Sequence, residues 1–118
     1  GLSLGAAARQ MVFSFALGTN QFLAIAKLRA ARKLWARVIP ACGGDADAAR
    51  MTIHARTSKR VLTHRDPWVN LLRNTSCCFA ACVAGADVVT STPFDEAIQV
   101  ATPLSRRIAR NTPTILLE

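Results

Sequence analysis

Three short stretches rich in strand-forming residues begin near residues 11, 51 and 87, spaced 40 and 36 positions apart, and each is followed by a segment with helical signals. This cadence constrains the chain more than any other feature. Parallel strands cannot be joined by tight turns; each pair needs a crossover of a dozen or more residues, usually a helix. The implied fold class is α/β, with parallel βα units repeated along the chain. Three units are too few to close a barrel, for which eight units and roughly 250 residues are typical. The 118 residues therefore read either as an open sheet or as a piece of a larger barrel. Gly1 in place of an initiator methionine and Glu118 interrupting an apolar helix end favour the piece.

In the first unit, residues 11–15 form the strand, Gly18, Thr19 and Asn20 the turn, and residues 21–39 a helix. Its apolar stripe is Phe22, Ile25, Leu28, Trp35, Val38 and Ile39, with Lys27, Arg29, Arg32, Lys33 and Arg37 mostly offset from it. Asn20 or Thr19 can cap the first turn, and Pro40 with Gly43 and Gly44 stops the helix. In the second unit, a strand at residues 51–55 leads through a basic stretch, residues 56–65, to a helix opened by Asp66 and Pro67. That helix is expected to end at Gly85, with Leu72, Phe79 and Val83 facing inward beside Cys78 and Cys82. Small residues in its second half allow close approach to the sheet. The third unit is a strand at residues 87–91, a loop carrying Pro93, Phe94, Asp95 and Glu96, and a helix entered at Thr102 and Pro103 that Pro113 should kink or end.

The 15 Lys and Arg against 7 Asp and Glu leave a net charge of +8, compatible with nucleic acid, anionic lipid or a phosphate-bearing small molecule as a partner. With no tyrosine and few aromatics among the cations, stacking platforms for bases are missing, which argues against nucleic acid. Cys42, Cys77, Cys78 and Cys82 make neither a C-x-x-C pair nor a zinc pattern, so no metal is expected and a reduced, cytoplasmic protein fits best. No apolar run is long enough for a membrane span, and the N-terminus lacks the parts of a signal peptide.

Several blocks carry a resemblance. Residues 21–37 (Q-F-L-A-I-A-K-L-R-A-A-R-K-L-W-A-R), 54–58 (H-A-R-T-S), 66–73 (D-P-W-V-N-L-L-R), 93–97 (P-F-D-E-A) and 106–112 (R-R-I-A-R-N-T) together resemble the methylmalonyl-CoA mutase family over nearly the whole chain. The resemblance implies that residues 1–118 form the last three βα units of that family's substrate-binding TIM barrel, with no cobalamin-binding domain among them. The D-P-W-V-N and P-F-D wording is most like the small, non-catalytic subunit of the heterodimeric bacterial enzymes.

The family interconverts methylmalonyl-CoA and succinyl-CoA by an adenosylcobalamin-dependent radical rearrangement. Its catalytic chains carry H-x-Q-T-S-G, whose His and Gln approach the corrin. Here His54 is kept, Arg56 replaces the Gln and Lys59 replaces the Gly. Catalytic chains also carry R-L-S, where Arg and Ser hold coenzyme A; Gln10 and Val12 stand at the matching positions. Glu96 matches a glutamate near the cofactor's adenosyl group. The D-x-H-x-x-G segment that ligates cobalt is missing, as are the catalytic Tyr, His and carboxylate-binding Arg of the earlier strands.

The resemblance thus implies a small-subunit piece that supports a catalytic large subunit or self-associates, binds no adenosylcobalamin by itself, and is inactive alone. Two alternatives stand beside it: a catalytic-chain-like fragment retaining its cofactor contacts, and a basic nucleic-acid-binding module. His54 and Glu96 are either cofactor contacts or inherited and idle. Asp95 and Glu96 are either a carboxylate pair or solvated charges at a helix entrance. Arg56, Lys59, Arg60 and Arg65 either receive acyl-CoA phosphates or form a solvated or subunit-facing loop. His64 has no assigned role.

Overall fold

The computed structural model describes residues 1–118. A short helix α1 (Leu4–Arg9) precedes three units: strand β1 (Val12–Leu17) and helix α2 (Gln21–Ala41); strand β2 (Thr52–Thr57), a 3-10 turn (Lys59–Val61) and helix α3 (Val69–Val83); strand β3 (Val88–Thr90) and helix α4 (Pro103–Leu117). The strands form one sheet in the order β1-β2-β3, and both pairings are parallel. The cadence of the sequence therefore reports the topology correctly. Helix α1 had no strong signal, although Ser3 caps it by accepting from the amide of Ala6.

Helix signals placed the starts well. Asn20 caps α2 by accepting a 3.0 Å bond from the Leu23 amide. Thr102 caps α4 through Ser105, with Pro103 in the first turn. Asp66 is not the N-cap as expected: it accepts from the Trp68 amide in the turn, Trp68 takes the N-cap position two residues later, and the helix proper begins at Val69. Gly85 closes α3 at φ 74°, a left-handed conformation that explains glycine there.

Neither internal proline ends its helix where it stands. Pro40 lies inside α2, one residue before its end. Pro113 lies inside α4, which continues to Leu117. The missing proline N–H removes a bond to Ala109, but hydroxyls beside it donate back along the helix: Thr112 to the Ile108 carbonyl and Thr114 to that of Arg110.

The main core lies between one face of the sheet and helices α2 and α3. It consists of Leu17, Ile53 and Ala55 from the strands, Ala24 and Leu28 from α2, and Cys77, Ala80, Ala81 and Ala84 from α3 and its end. The expected inward face of α3 needs correction. Leu72, Phe79 and Val83 are exposed, while Asn70, Asn74, Cys77, Cys78 and Ala81 are buried. The small side chains win the inner face because they let the helix lie close against the strands, and the two asparagines find backbone partners there that outweigh their polarity. On α2 likewise, Leu28 and Ile39 are buried but Phe22 and Val38 are exposed.

Only 20 residues are buried, and the radius of gyration is 16.4 Å, against about 13.5 Å for a compact chain of this length. The helices cover one sheet face, and the opposite face has no layer on it. No helix is long and apolar enough to cross a membrane.

The corrected α3 stripe predicts unequal costs of truncation in denaturant titrations. Leu28→Ala should lower stability by roughly 2–5 kcal/mol, and Leu72→Ala by no more than about 0.5 kcal/mol. Equal losses would show that the inner face has been misplaced.

Candidate functional site

The uncovered sheet face collects the residues that the sequence singled out. Side chains alternate along a strand, so the helix-covered set on β2 is Ile53, Ala55 and Thr57, and the opposite set is Thr52, His54 and Arg56. The register then aligns Val12 with Thr52, Ser14 with His54 and Val88, and Ala16 with Arg56 and Thr90. His54 Nε2 lies 2.7 Å from Thr90 Oγ1, a cross-strand hydrogen bond that fixes the imidazole against β3. Arg56 has no hydrogen bond or ion pair from its guanidinium and is exposed. Val12 opens β1 on this face, whereas Gln10 lies before the strand as the C-cap of α1. Gln10 thus sits at the end of the sheet opposite to the loops that follow the strands.

Those loops hold Glu96. It is not a free carboxylate: its Oε1 accepts a short charged hydrogen bond from Lys59 Nζ, tying the loop after β3 to the 3-10 turn after β2. Arg60 and Arg65 are exposed. Asp95 is neither a solvated charge nor half of a pair with Glu96. It is 4% exposed, and its Oδ2 accepts from both the backbone N and the Oγ1 of Thr102 at the entrance to α4. Burial pushes its carboxyl up, but hydrogen bonds from Ser105 and Thr102 outweigh this and hold it below 3.8.

A polar framework that the sequence reading missed holds the loops. Asn70 Oδ1 accepts from the Thr63 amide, while its Nδ2 donates to the carbonyls of Thr63 and Phe94. Asn74 Nδ2 donates to the Thr92 carbonyl. Thr57 Oγ1, at the end of β2, accepts from the Thr92 amide at 2.7 Å. Trp68 stacks on Phe94 with ring centroids 5.1 Å apart, so the D-P-W and P-F-D blocks meet. Beside that stack is a cavity of about 320 Å³ lined by Trp68, Phe94, Asp95, Ile98, Gln99 and Thr102. Two asparagines four apart on an otherwise apolar stripe were the available signal for this framework.

The cysteines sit on the helical side. The Cys77 thiol donates to the Leu17 carbonyl at 3.3 Å, and burial pushes the Cys78 thiol up to about 11. Such thiols are poor nucleophiles at neutral pH.

The methylmalonyl-CoA mutase family model matches residues 1–118. The chain belongs to that family. It is 53% identical over its whole length to a methylmalonyl-CoA mutase small subunit of Streptomyces virginiae, covering 19% of that relative. It is 41% identical, over 94% of its length, to the small subunit of Porphyromonas gingivalis, covering 18% of it. The methylmalonyl-CoA mutase of Escherichia coli K12 is 37% identical over the whole chain, which covers 17% of it. The chain spans about one-fifth of the length of the curated relatives it matches.

Two outcomes are expected from the framework. Asn70→Leu should cost on the order of 3 kcal/mol in unfolding experiments, because it strands the Phe94 carbonyl and both Thr63 backbone groups; a loss below about 0.5 kcal/mol would contradict that role. Asp95→Asn should destabilise at pH 7. Because the folded carboxyl lies below its ordinary value of 3.8, the stability it contributes is present above that value and lost as pH falls through the lower folded value. The gap between native and variant should therefore narrow in strong acid, and a constant gap from pH 7 to pH 2 would contradict it.

Proposed function

We propose that this chain forms three βα units of the substrate-binding TIM barrel of a methylmalonyl-CoA mutase small subunit, supporting a catalytic large subunit and performing no rearrangement alone. The reading takes residues 1–118 as one partial barrel domain and places the assembly in the cytoplasm. The three parallel units and the small-subunit relatives support it. One observation carries it furthest: Lys59, which stands where the catalytic motif has glycine, is paired with Glu96, which matches a glutamate near the cofactor's adenosyl group in the catalytic chains.

The mutase family uses adenosylcobalamin to generate the radicals of its reaction, and the residues here do not fit that group. Glu96 is neutralised by Lys59. His54 Nε2 is engaged by Thr90. Arg56 places a long cation where the catalytic motif has a neutral amide, changing both charge and hydrogen bonding on that face. Gln10 and Val12 replace the Arg and Ser that would pair with coenzyme A, and neither can supply a guanidinium for acyl-CoA phosphate. No chemical step is therefore assigned to these residues. Their work is to shape and close a barrel wall.

Large exposed apolar side chains support association with another chain. Phe22 is 86% exposed, Leu72 73% and Ile115 70%, each on a different helix. A large subunit is the partner that the small-subunit relatives suggest.

Titration of the purified protein with adenosylcobalamin, followed by its visible spectrum, tests the reading. No saturable shift should occur at micromolar concentration, and no succinyl-CoA should form from methylmalonyl-CoA without a second chain. Saturation at that concentration, or turnover by this chain alone, would overturn it.

A further inference from the structure

One cavity combines an aromatic wall with a buried carboxylate. It lies beside the Trp68–Phe94 stack, is lined by Trp68, Phe94, Asp95, Ile98, Gln99 and Thr102, and has a volume of about 320 Å³, at the lower end of the range for small-molecule sites. Asp95 is buried, yet only one of its oxygens is satisfied. Oδ2 accepts from the amide and the hydroxyl of Thr102 and, at 3.4 Å, from Gln99 Nε2, whereas Oδ1 is buried with no hydrogen-bond partner. A carboxylate oxygen left in that state is costly, and a donor that reaches it is correspondingly favoured. The carboxyl lies below 3.8, so it is ionised at neutral pH.

Charge selects the donor. No Lys, Arg or His lines this cavity, although the chain carries a net charge of +8. Cavities elsewhere are lined by Lys27, by Arg32 and Arg50, or by Arg106 and Arg110. The exposed indole of Trp68, held by its stack on Phe94, offers a π face that attracts cations. Gln99 is the lining group that gives way most easily, because its side chain is exposed and its contact with Asp95 is at the long limit of a hydrogen bond.

We propose that this cavity binds a small primary ammonium ion, whose N–H donates to Asp95 Oδ1 while its hydrocarbon body packs on Trp68 and Ile98. The site is independent of the proposed barrel role. None of its residues lies on the strands or takes part in the Lys59–Glu96 pair.

The test is a calorimetric titration of the protein purified from its full open reading frame, in the assembly that it forms. The probe is n-butylammonium chloride, which should bind saturably. Tetramethylammonium has the charge without an N–H, and butanol has a donor without the charge. Each should bind ~10-fold or more weakly than n-butylammonium. Because Asp95→Asn also weakens the entrance to α4, the decisive variants are Trp68→Leu and Gln99→Lys, both at exposed positions. Trp68→Leu should weaken binding by ~3-fold or more through the lost π face. Gln99→Lys should abolish it, by seating the chain's own ammonium on Asp95. No saturable heat with n-butylammonium, equal binding of tetramethylammonium or butanol, or full affinity in Gln99→Lys would overturn the site. Tighter binding of N-acetyl-lysine N-methylamide than of n-butylammonium would overturn it as well, by making the occupant a polypeptide side chain.

Discussion

The ladder that joins β2 to both of its neighbours determines what the rest of the molecule can do. Parallel pairing puts Ser14, His54 and Val88 in one row across the sheet and Ala16, Arg56 and Thr90 in the next. It also sends every connection over the same face, where α2 and α3 build the core on Leu17, Ile53 and Ala55. A slip of one residue in β2 would turn Ile53 and Ala55 out and His54 and Arg56 in, burying two polar side chains under the helices. The hydrophobic core and the placement of His54 and Arg56 on the opposite face are therefore one constraint. The loops after β2 and β3 are then locked by Thr57, Asn70 and Asn74, whose bonds reach backbone groups that a parallel ladder leaves unpaired at its end.

Charge at the rim and on the uncovered face is separable from the fold. Lys59 and Glu96 neutralise each other at the rim. The pair is partly solvated, and its effect on stability is accordingly small. Arg56 adds a second cation on the face itself, where a neutral group would leave space. Neither change touches the helix-covered core, so both are compatible with the fold.

The architecture was legible in the sequence because β-strand composition, helix caps and crossover lengths are local signals. Asn20, Thr102 and Gly85 each act through backbone geometry within a few residues, and each sits where its type implied. The burial of helix faces was less legible. Leu72 and Phe79 looked inward by hydrophobicity, but the inner stripe of α3 is set by how closely the helix approaches the strands and by carbonyls supplied from distant loops. For the same reason, Lys59 was readable as a replacement but not as the partner of Glu96, 37 residues away. The meeting of Trp68 with Phe94 was equally hidden, although both residues stand in the D-P-W and P-F-D blocks of the sequence.

The central physical claim is that the second face of the sheet is buried in the working protein, and cysteine accessibility tests it most directly. Ser14→Cys is nearly isosteric and places a thiol on that face next to His54, while the native Cys42 is exposed and serves as an internal reference. In the intact assembly, maleimide should label Cys42 readily and the introduced thiol far more slowly, with the difference disappearing on unfolding. Equal labelling of the two sites in the folded assembly would contradict a covered face.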